Sequence, residues 1–173
     1  MKKCILFSGG WDSVAVALME TKADLLFFNY GQTYFENELL VARNFAKAHR
    51  RNLIVSQLNL AHDIERRNFY LILEAKRLGY QVIYTGNRNV LPIFDKYKDS
   101  NWLTLKILGL ISNLVIKMPI VAWGKKKIVK FVLMNSSIRP YNCYNNLNDF
   151  TKCECQNCRE INKIFTKNLR DFL

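Results

Sequence analysis

The chain has 173 residues, half of them hydrophobic, which is one domain's worth of protein and enough apolar mass for a core. That composition excludes an intrinsically disordered chain. Its 26 Lys and Arg against 14 Asp and Glu leave a formal charge of +12, which reads either as attraction to polyanions such as ATP, pyrophosphate or tRNA or, the favoured reading, as a solvated Lys/Arg surface.

Met1-Lys2-Lys3 is followed by an apolar run that stops at Ser8-Gly9-Gly10 without a cleavage pattern, so no export signal is expected. Cys4 to Phe7 reads as a first buried strand, and Ser13 to Glu20 as a helix with Val14, Ala17 and Leu18 at helical spacing. Asp24 to Tyr30 is a second strand. Phe35, Leu39, Ala42 and Ala46 mark an amphipathic helix to about Arg50. Asn52 to Leu58, Asn68 to Leu78 and Gln81 to Tyr84 follow as strand, helix and strand, the last closing on Thr85-Gly86. Trp102 to Ile116 is expected to be helical, Pro119 to Trp123 a fifth strand, and Lys125 to Met134 a further helix. The apolar stretch Ile107 to Ile116, flanked by Lys106 and Lys117, is too short to span a bilayer and is expected to be a buried part of its helix. From Asn135 the chain is rich in Asn and Cys and reads as an irregular, stapled tail.

Alternating strands and helices predict an α/β fold, an open parallel sheet with helices on both faces and a small Cys-rich zinc-binding C-terminal segment. Residues 1–134 are expected to form a nucleotide-binding α/β domain, and 135–173 a metal-binding appendage of the same domain. The expected location is the cytoplasm, with no membrane contact.

The most informative segment is Ser8-Gly9-Gly10-Trp11-Asp12-Ser13, between the first strand and the first helix. Ligands of open parallel sheets bind beyond the carboxyl ends of the strands. A helix N-terminus offers unpaired N–H groups and partial positive charge to an anion there. Two glycines let the backbone approach phosphates, Ser8 and Ser13 add hydroxyls, and Asp12 can hold magnesium or orient donors. The string is neither a Walker A loop nor GxGxxG. An ordinary capped turn is the plain alternative.

Cys143, Cys153, Cys155 and Cys158 form a C-x9-C-x-C-x2-C pattern, while Cys4 lies apart in a core strand. Four thiolates suit a closed, structural zinc site that would fold a tail too polar to fold alone. An iron–sulfur cluster and disulfides are the alternatives, the latter disfavoured in a reducing compartment.

The Ser-Gly-Gly-x-Asp-Ser string resembles the PP-loop of the ATP pyrophosphatase superfamily, which includes NAD and GMP synthetases, tRNA thiolases and the lysidine ligase. The resemblance implies a Rossmann-like sheet of the PP-loop/HUP type, ATP bound at Ser8, Gly9, Gly10, Asp12 and Ser13, attack on its α-phosphate, and release of pyrophosphate. With four C-terminal cysteines, the chain is similar to the 7-cyano-7-deazaguanine synthase family. Asn29-Tyr30-Gly31-Gln32 with Glu38 and Ala42-Arg43, Arg67-Asn68, Thr85-Gly86, Tyr97-Lys98-Asp99, Pro119 to Trp123, Asn142-Cys143-Tyr144-Asn145 and Cys155-x-x-Cys158-Arg159 carry that likeness nearly end to end. The chain departs from the family in a shorter segment before Arg67, in Cys153-x-Cys155, in Asn29 and in Asn87-Arg88-Asn89.

Membership would imply ATP-dependent conversion of 7-carboxy-7-deazaguanine and ammonia to the nitrile, with ATP, Mg2+ and Zn2+ as cofactors. It implies Tyr30, Gln32, Arg67, Asn68 and Asp99 as substrate contacts and suggests a homodimer. No covalent nucleophile or other catalytic residue is assigned. Rival expectations are a PP-loop enzyme acting on a tRNA or protein acceptor, and a degenerate ATP-binding module. Nucleic acid is not the favoured partner, because no basic stretch is interleaved with stacking aromatics. Lys125 to Lys127 are expected near phosphate oxygens, Trp11 either to stack on a base or to pack, and His49 and His62 to lie at the surface.

Overall fold

Strands that are apolar on both faces need helices on both sides, and the computed structural model shows that arrangement. It describes residues 1–58, 60, 66–88, 101–141, 143, 153 and 155–168. Five strands, β1 (Lys3–Leu6), β2 (Asp24–Asn29), β3 (Leu53–Gln57), β4 (Val82–Tyr84) and β5 (Val115–Lys117), pair in parallel in the order β3-β2-β1-β4-β5. Ile5 lies opposite Leu25 of β2 and Tyr84 of β4, so β1 is the central strand. Six helices surround the sheet: α1 (Trp11–Met19), α2 (Phe35–Ala48), α3 (Arg67–Arg77), α4 (Trp102–Ile111), α5 (Lys125–Asn135) and α6 (Gln156–Asn168).

Strand alternation divides the core into two layers. Ile5, Leu25 and Phe27 pack with Val14 of α1, Phe45 of α2, Ile128 of α5 and Ile161 of α6. Cys4, Leu26 and Phe28 pack on the other face with Ile72 of α3 and Leu105 of α4. Each fully buried side chain of this kind contributes about 1.5–3 kcal/mol. Burial pushes the Cys4 thiol up to about 12, helped by Asp24 nearby, so this cysteine is an inert core residue. Arg51, in the basic run after α2, is half-buried and donates to the carbonyls of Ala17, Glu20 and Ala23. That guanidinium ties off the end of α1 and is not a polyanion contact.

The elements through β4 follow the sequence expectation to within two residues at each end. Four later expectations are corrected. The run from Trp102 is helical only to Ile111, and its last residues form β5. Asn113 takes a left-handed φ of 53°, its N–H donates to Leu110 O, and Leu114 N donates to Gly109 O. That pair of bonds is a Schellman stop, which an asparagine can occupy. Nor is α4 buried throughout: Leu110 and Ile111 are 82% and 80% exposed.

Pro119 to Trp123 is not a strand but a pair of tight turns, with Val121 N donating to Met118 O and Trp123 N to Ile120 O. The edge place it was expected to fill is taken by β5. Finally, the tail is not wholly irregular, because α6 packs Ile161, Ile164 and Phe165 onto the α1 layer. Among the described residues, no helix is long and apolar enough to cross a membrane.

Candidate functional site

The strand order reverses direction at β1, with β2 and β3 on one side and β4 and β5 on the other. The crevice beyond the carboxyl ends of β1 and β4 is therefore the switch point where open α/β sheets bind ligands. Ser8 to Ser13 occupy it. Gly9 has φ +73°, and a Cβ there would lie 3.0 Å from the Glu38 carbonyl oxygen. Only glycine suits both the angle and the space. Ser13 Oγ donates to Gly10 O at 3.0 Å and accepts from Ser8 N at 3.2 Å, closing the turn on itself. Ser8 is exposed, with its Oγ 3.3 Å from Ser13 Oγ.

Two helices begin here. Both α1 and α5 have glycine at the N-cap, Gly10 and Gly124, and neither is capped by a side chain. The two helices pack together, and the first residue of α5, Lys125, reaches Asp12 in the first turn of α1 at 2.9 Å. Arg88, just after β4, lies 3.8 Å from the other Asp12 oxygen and 3.7 Å from Glu160 of α6. A Cβ on Gly86 would meet the Asp12 backbone at 3.0 Å, so β4 reaches the loop only because position 86 is bare. Two uncapped helix starts, a lysine with a 9% exposed side chain and an arginine, both cations paired to Asp12, are groups of the kind that suit an anion. Asp12 serves as the group that orients these cations. Its Oδ1 is buried with no hydrogen bond among the described residues, an atom that a magnesium ion carried by a nucleotide would satisfy.

Of the three expected lysines, Lys125 is the one at the loop, while Lys127 lies over the Trp123 ring at 4.3 Å. Trp11 is 2% exposed and packs 6.4 Å from Phe165, so it is a core residue and not a base-stacking one. His49 is half-buried and stacks on Phe45 at 4.2 Å, a departure from the expected surface position. Burial, with Arg51 nearby, lowers its pKa, so the neutral imidazole is favoured there. His62, Asn142, Tyr144-Asn145 and the Tyr97-Lys98-Asp99 segment, with the substrate contact expected at Asp99, lie outside the described residues.

A second group lies at the carboxyl end of β2. Arg67, in the first turn of α3, donates to Tyr30 Oη at 2.8 Å and stands over the Tyr30 ring. Gln32 Oε1 accepts from Tyr30 N at 2.9 Å, and its Nε2 donates to Phe28 O at 3.0 Å and approaches Glu38 at 3.4 Å. Glu38 is buried, and desolvation pushes its carboxyl up to about 8 against the lowering effects of Gln32 and Arg67. It is a functional candidate that the sequence marked only through resemblance. Asn68 is buried in α3.

No family model matches the chain, and no curated protein matches it either. Among solved structures it is similar to a predicted subunit of tRNA methyltransferase from Methanocaldococcus jannaschii. That likeness has 20% identity, covers 75% of this chain and 72% of that chain, and has a TM-score of 0.47.

The four cysteines of the tail form one cluster. The Sγ atoms of Cys143, Cys153, Cys155 and Cys158 all lie within 4.8 Å of one another, and Cys143 and Cys153 approach to 3.3 Å. A tetrahedral zinc with bonds of about 2.3 Å sets its sulfurs roughly 3.8 Å apart, so these residues can hold such an ion. Burial raises the Cys158 thiol well above its usual range, with Cys155 and Cys153 adding to it. A bound cation would relieve that crowding by favouring the thiolates. Tyr141 packs against the cluster, and its N–H donates to Gly9 O at 3.0 Å. The cysteine site and the loop are thus one hydrogen bond apart.

A cavity of about 320 Å3 lies at the carboxyl end of β5, lined by Trp102, Lys106, Ile116, Lys117, Met118 and Val121. None of the loop residues faces it.

Proposed function

We propose that the chain is an ATP-consuming PP-loop enzyme with a structural zinc site, and that its product is 7-cyano-7-deazaguanine. The observation that carries the ATP reading is the Ser8–Ser13 turn at the switch point, between two uncapped helix starts and beside Lys125. The acceptor rests on the sequence resemblance. In this reading residues 1–134 bind the nucleotide and 135–173 bind the metal.

The loop N–H groups, Ser8, Ser13, Lys125 and Arg88 hold the polyphosphate, and Asp12 fixes the two cations. Magnesium arriving with ATP supplies further neutralisation of the pyrophosphate. The acceptor carboxylate attacks the α-phosphate, and pyrophosphate leaves. Ammonia then attacks the acyl carbon, expelling AMP and leaving the amide after loss of a proton. The amide oxygen then attacks the α-phosphate of a second ATP, expelling a second pyrophosphate, and loss of AMP and the two amide protons gives the nitrile. Catalysis rests on positioning and on stabilising charge on the leaving group. Tyr30, Gln32, Arg67 and Asn68 are assigned to the acceptor side, with Asp99 as a further contact.

The test follows AMP and pyrophosphate in three reactions: with 7-carboxy-7-deazaguanine and ammonia, with tRNA, and with no acceptor. Release with the free base supports the proposal. Release with RNA alone moves the acceptor to a polymer, and ATP binding without turnover in any reaction reduces the chain to a nucleotide-binding module.

A further inference from the structure

Parallel sheets seat their ligands beyond the carboxyl ends of the strands, and β5 has such an end of its own. The cavity of about 320 Å3 found there belongs to a strand two spacings, roughly 10 Å, from β1 and its loop. Much of its lining is apolar, from Ile116 of β5 and from Met118, Val121 and Ala122 in the tight turns that follow.

The remaining lining is a tryptophan and two lysines. Trp11 and Trp123 pack on Phe165 and Phe131, whereas Trp102, 42% exposed, meets no other ring among the described residues. Lys106, one turn further along α4, and Lys117, at the end of β5, form no ion pair among the described residues. Among the described residues that line the cavity, none is acidic. Trp102 opens α4, so the positive end of that helix adds to the two ammonium groups.

We infer that this cavity is a second ligand site, separate from the loop, for a flat aromatic molecule that carries an acidic group. The indole of Trp102 offers a ring the stacking surface that aromatic pairs use. The ammonium groups of Lys106 and Lys117 are point charges that accept either a carboxylate or a phosphate. A neutral apolar molecule would leave both without a counter-charge. The volume is at the lower end of the range for small-molecule pockets, so a bicyclic acid fits and a macromolecule does not enter.

Calorimetric titration of the full zinc-loaded chain with naphthoate, naphthyl phosphate and neutral naphthylmethanol decides the matter. Saturable binding of the acids is expected at about millimolar concentration or below, as suits ligands of this size. The alcohol is expected to bind at least about tenfold more weakly. Whichever acid binds more tightly tells whether a carboxylate or a phosphate is the group recognised. Trp102→Ala is expected to abolish binding of both acids, and Lys106→Gln and Lys117→Gln to weaken it by roughly two- to tenfold each. All three side chains are exposed, so circular dichroism and melting profiles are expected to match the wild type. Lys125→Ala, at the loop, is expected to leave these affinities unchanged, which separates this site from the ATP reading. No binding of either acid, equal binding of the alcohol, or binding that survives Trp102→Ala would each overturn the inference. So would loss of acid binding in Lys125→Ala, which would put the anion at the loop. None of these readouts depends on ATP turnover.

Discussion

Asp12 and Lys125 are 113 residues apart in the chain yet form a 2.9 Å pair at the head of two helices. Removing the lysine leaves an acid where a polyphosphate is expected. Lys125→Ala should therefore weaken ATP binding by roughly ten- to a hundredfold and cost about 1–3 kcal/mol of stability. Calorimetric titration and thermal melts read the two effects separately. Gly86→Ala inserts a methyl group 3.0 Å from the Asp12 backbone. About 1–3 kcal/mol of overpacking should appear as a lower melting temperature together with weaker ATP binding.

Glu38 gives a pH signature. Its folded pKa, about 8, lies above the ordinary 4.5, so the folded state holds the extra proton between those values. Stability from this group is complete below 4.5 and is lost as pH rises toward 8. Glu38→Gln, which keeps the neutral shape, should gain on the wild type over that interval. A stability difference that stays flat with pH would remove Glu38 as the cause.

The elements that the sequence made legible are those with one period and one clear end. β1, α1 and β2 alternate between apolar runs and turn signals, and the structure follows them closely. The run from Trp102 to Ile116 failed because ten apolar residues look alike in a helix and in a buried strand. Its only mark of a break was Ser112-Asn113, and the left-handed asparagine proves to be the stop. Asn113→Val forces a β-branched residue into that angle and should cost about 1–2 kcal/mol, measured by urea unfolding. The helix α6 was missed because Asn and Cys dominated the tail. Cys158, Ile161, Ile164 and Phe165 did carry helical spacing, unweighed beside the thiols.

The cysteine cluster joins these elements, since Tyr141 reaches the loop and Phe165 of α6 reaches Trp11. Withdrawing metal with a strong chelator should release one zinc per chain and weaken ATP binding before the sheet signal in circular dichroism is lost. ATP affinity unchanged by complete metal removal would sever that link.

Across the whole molecule, the motifs announced the loop and the four thiols, and the Lys125–Lys127 run was expected beside the loop without saying which lysine reaches it. Arg88 and Tyr141 could not be read, because only the order of strands and the packing of the late elements bring them to the loop, which no local pattern encodes. The same geometry bears on the order of manufacture. The turn at residues 8–13 is among the first parts of the chain to be synthesised, yet its neighbours at 86, 88, 125, 141 and 165 come late. Contacts of such long sequence separation form slowly. A nascent chain halted short of α6 would carry the signature string without Phe165 against Trp11 or Glu160 against Arg88.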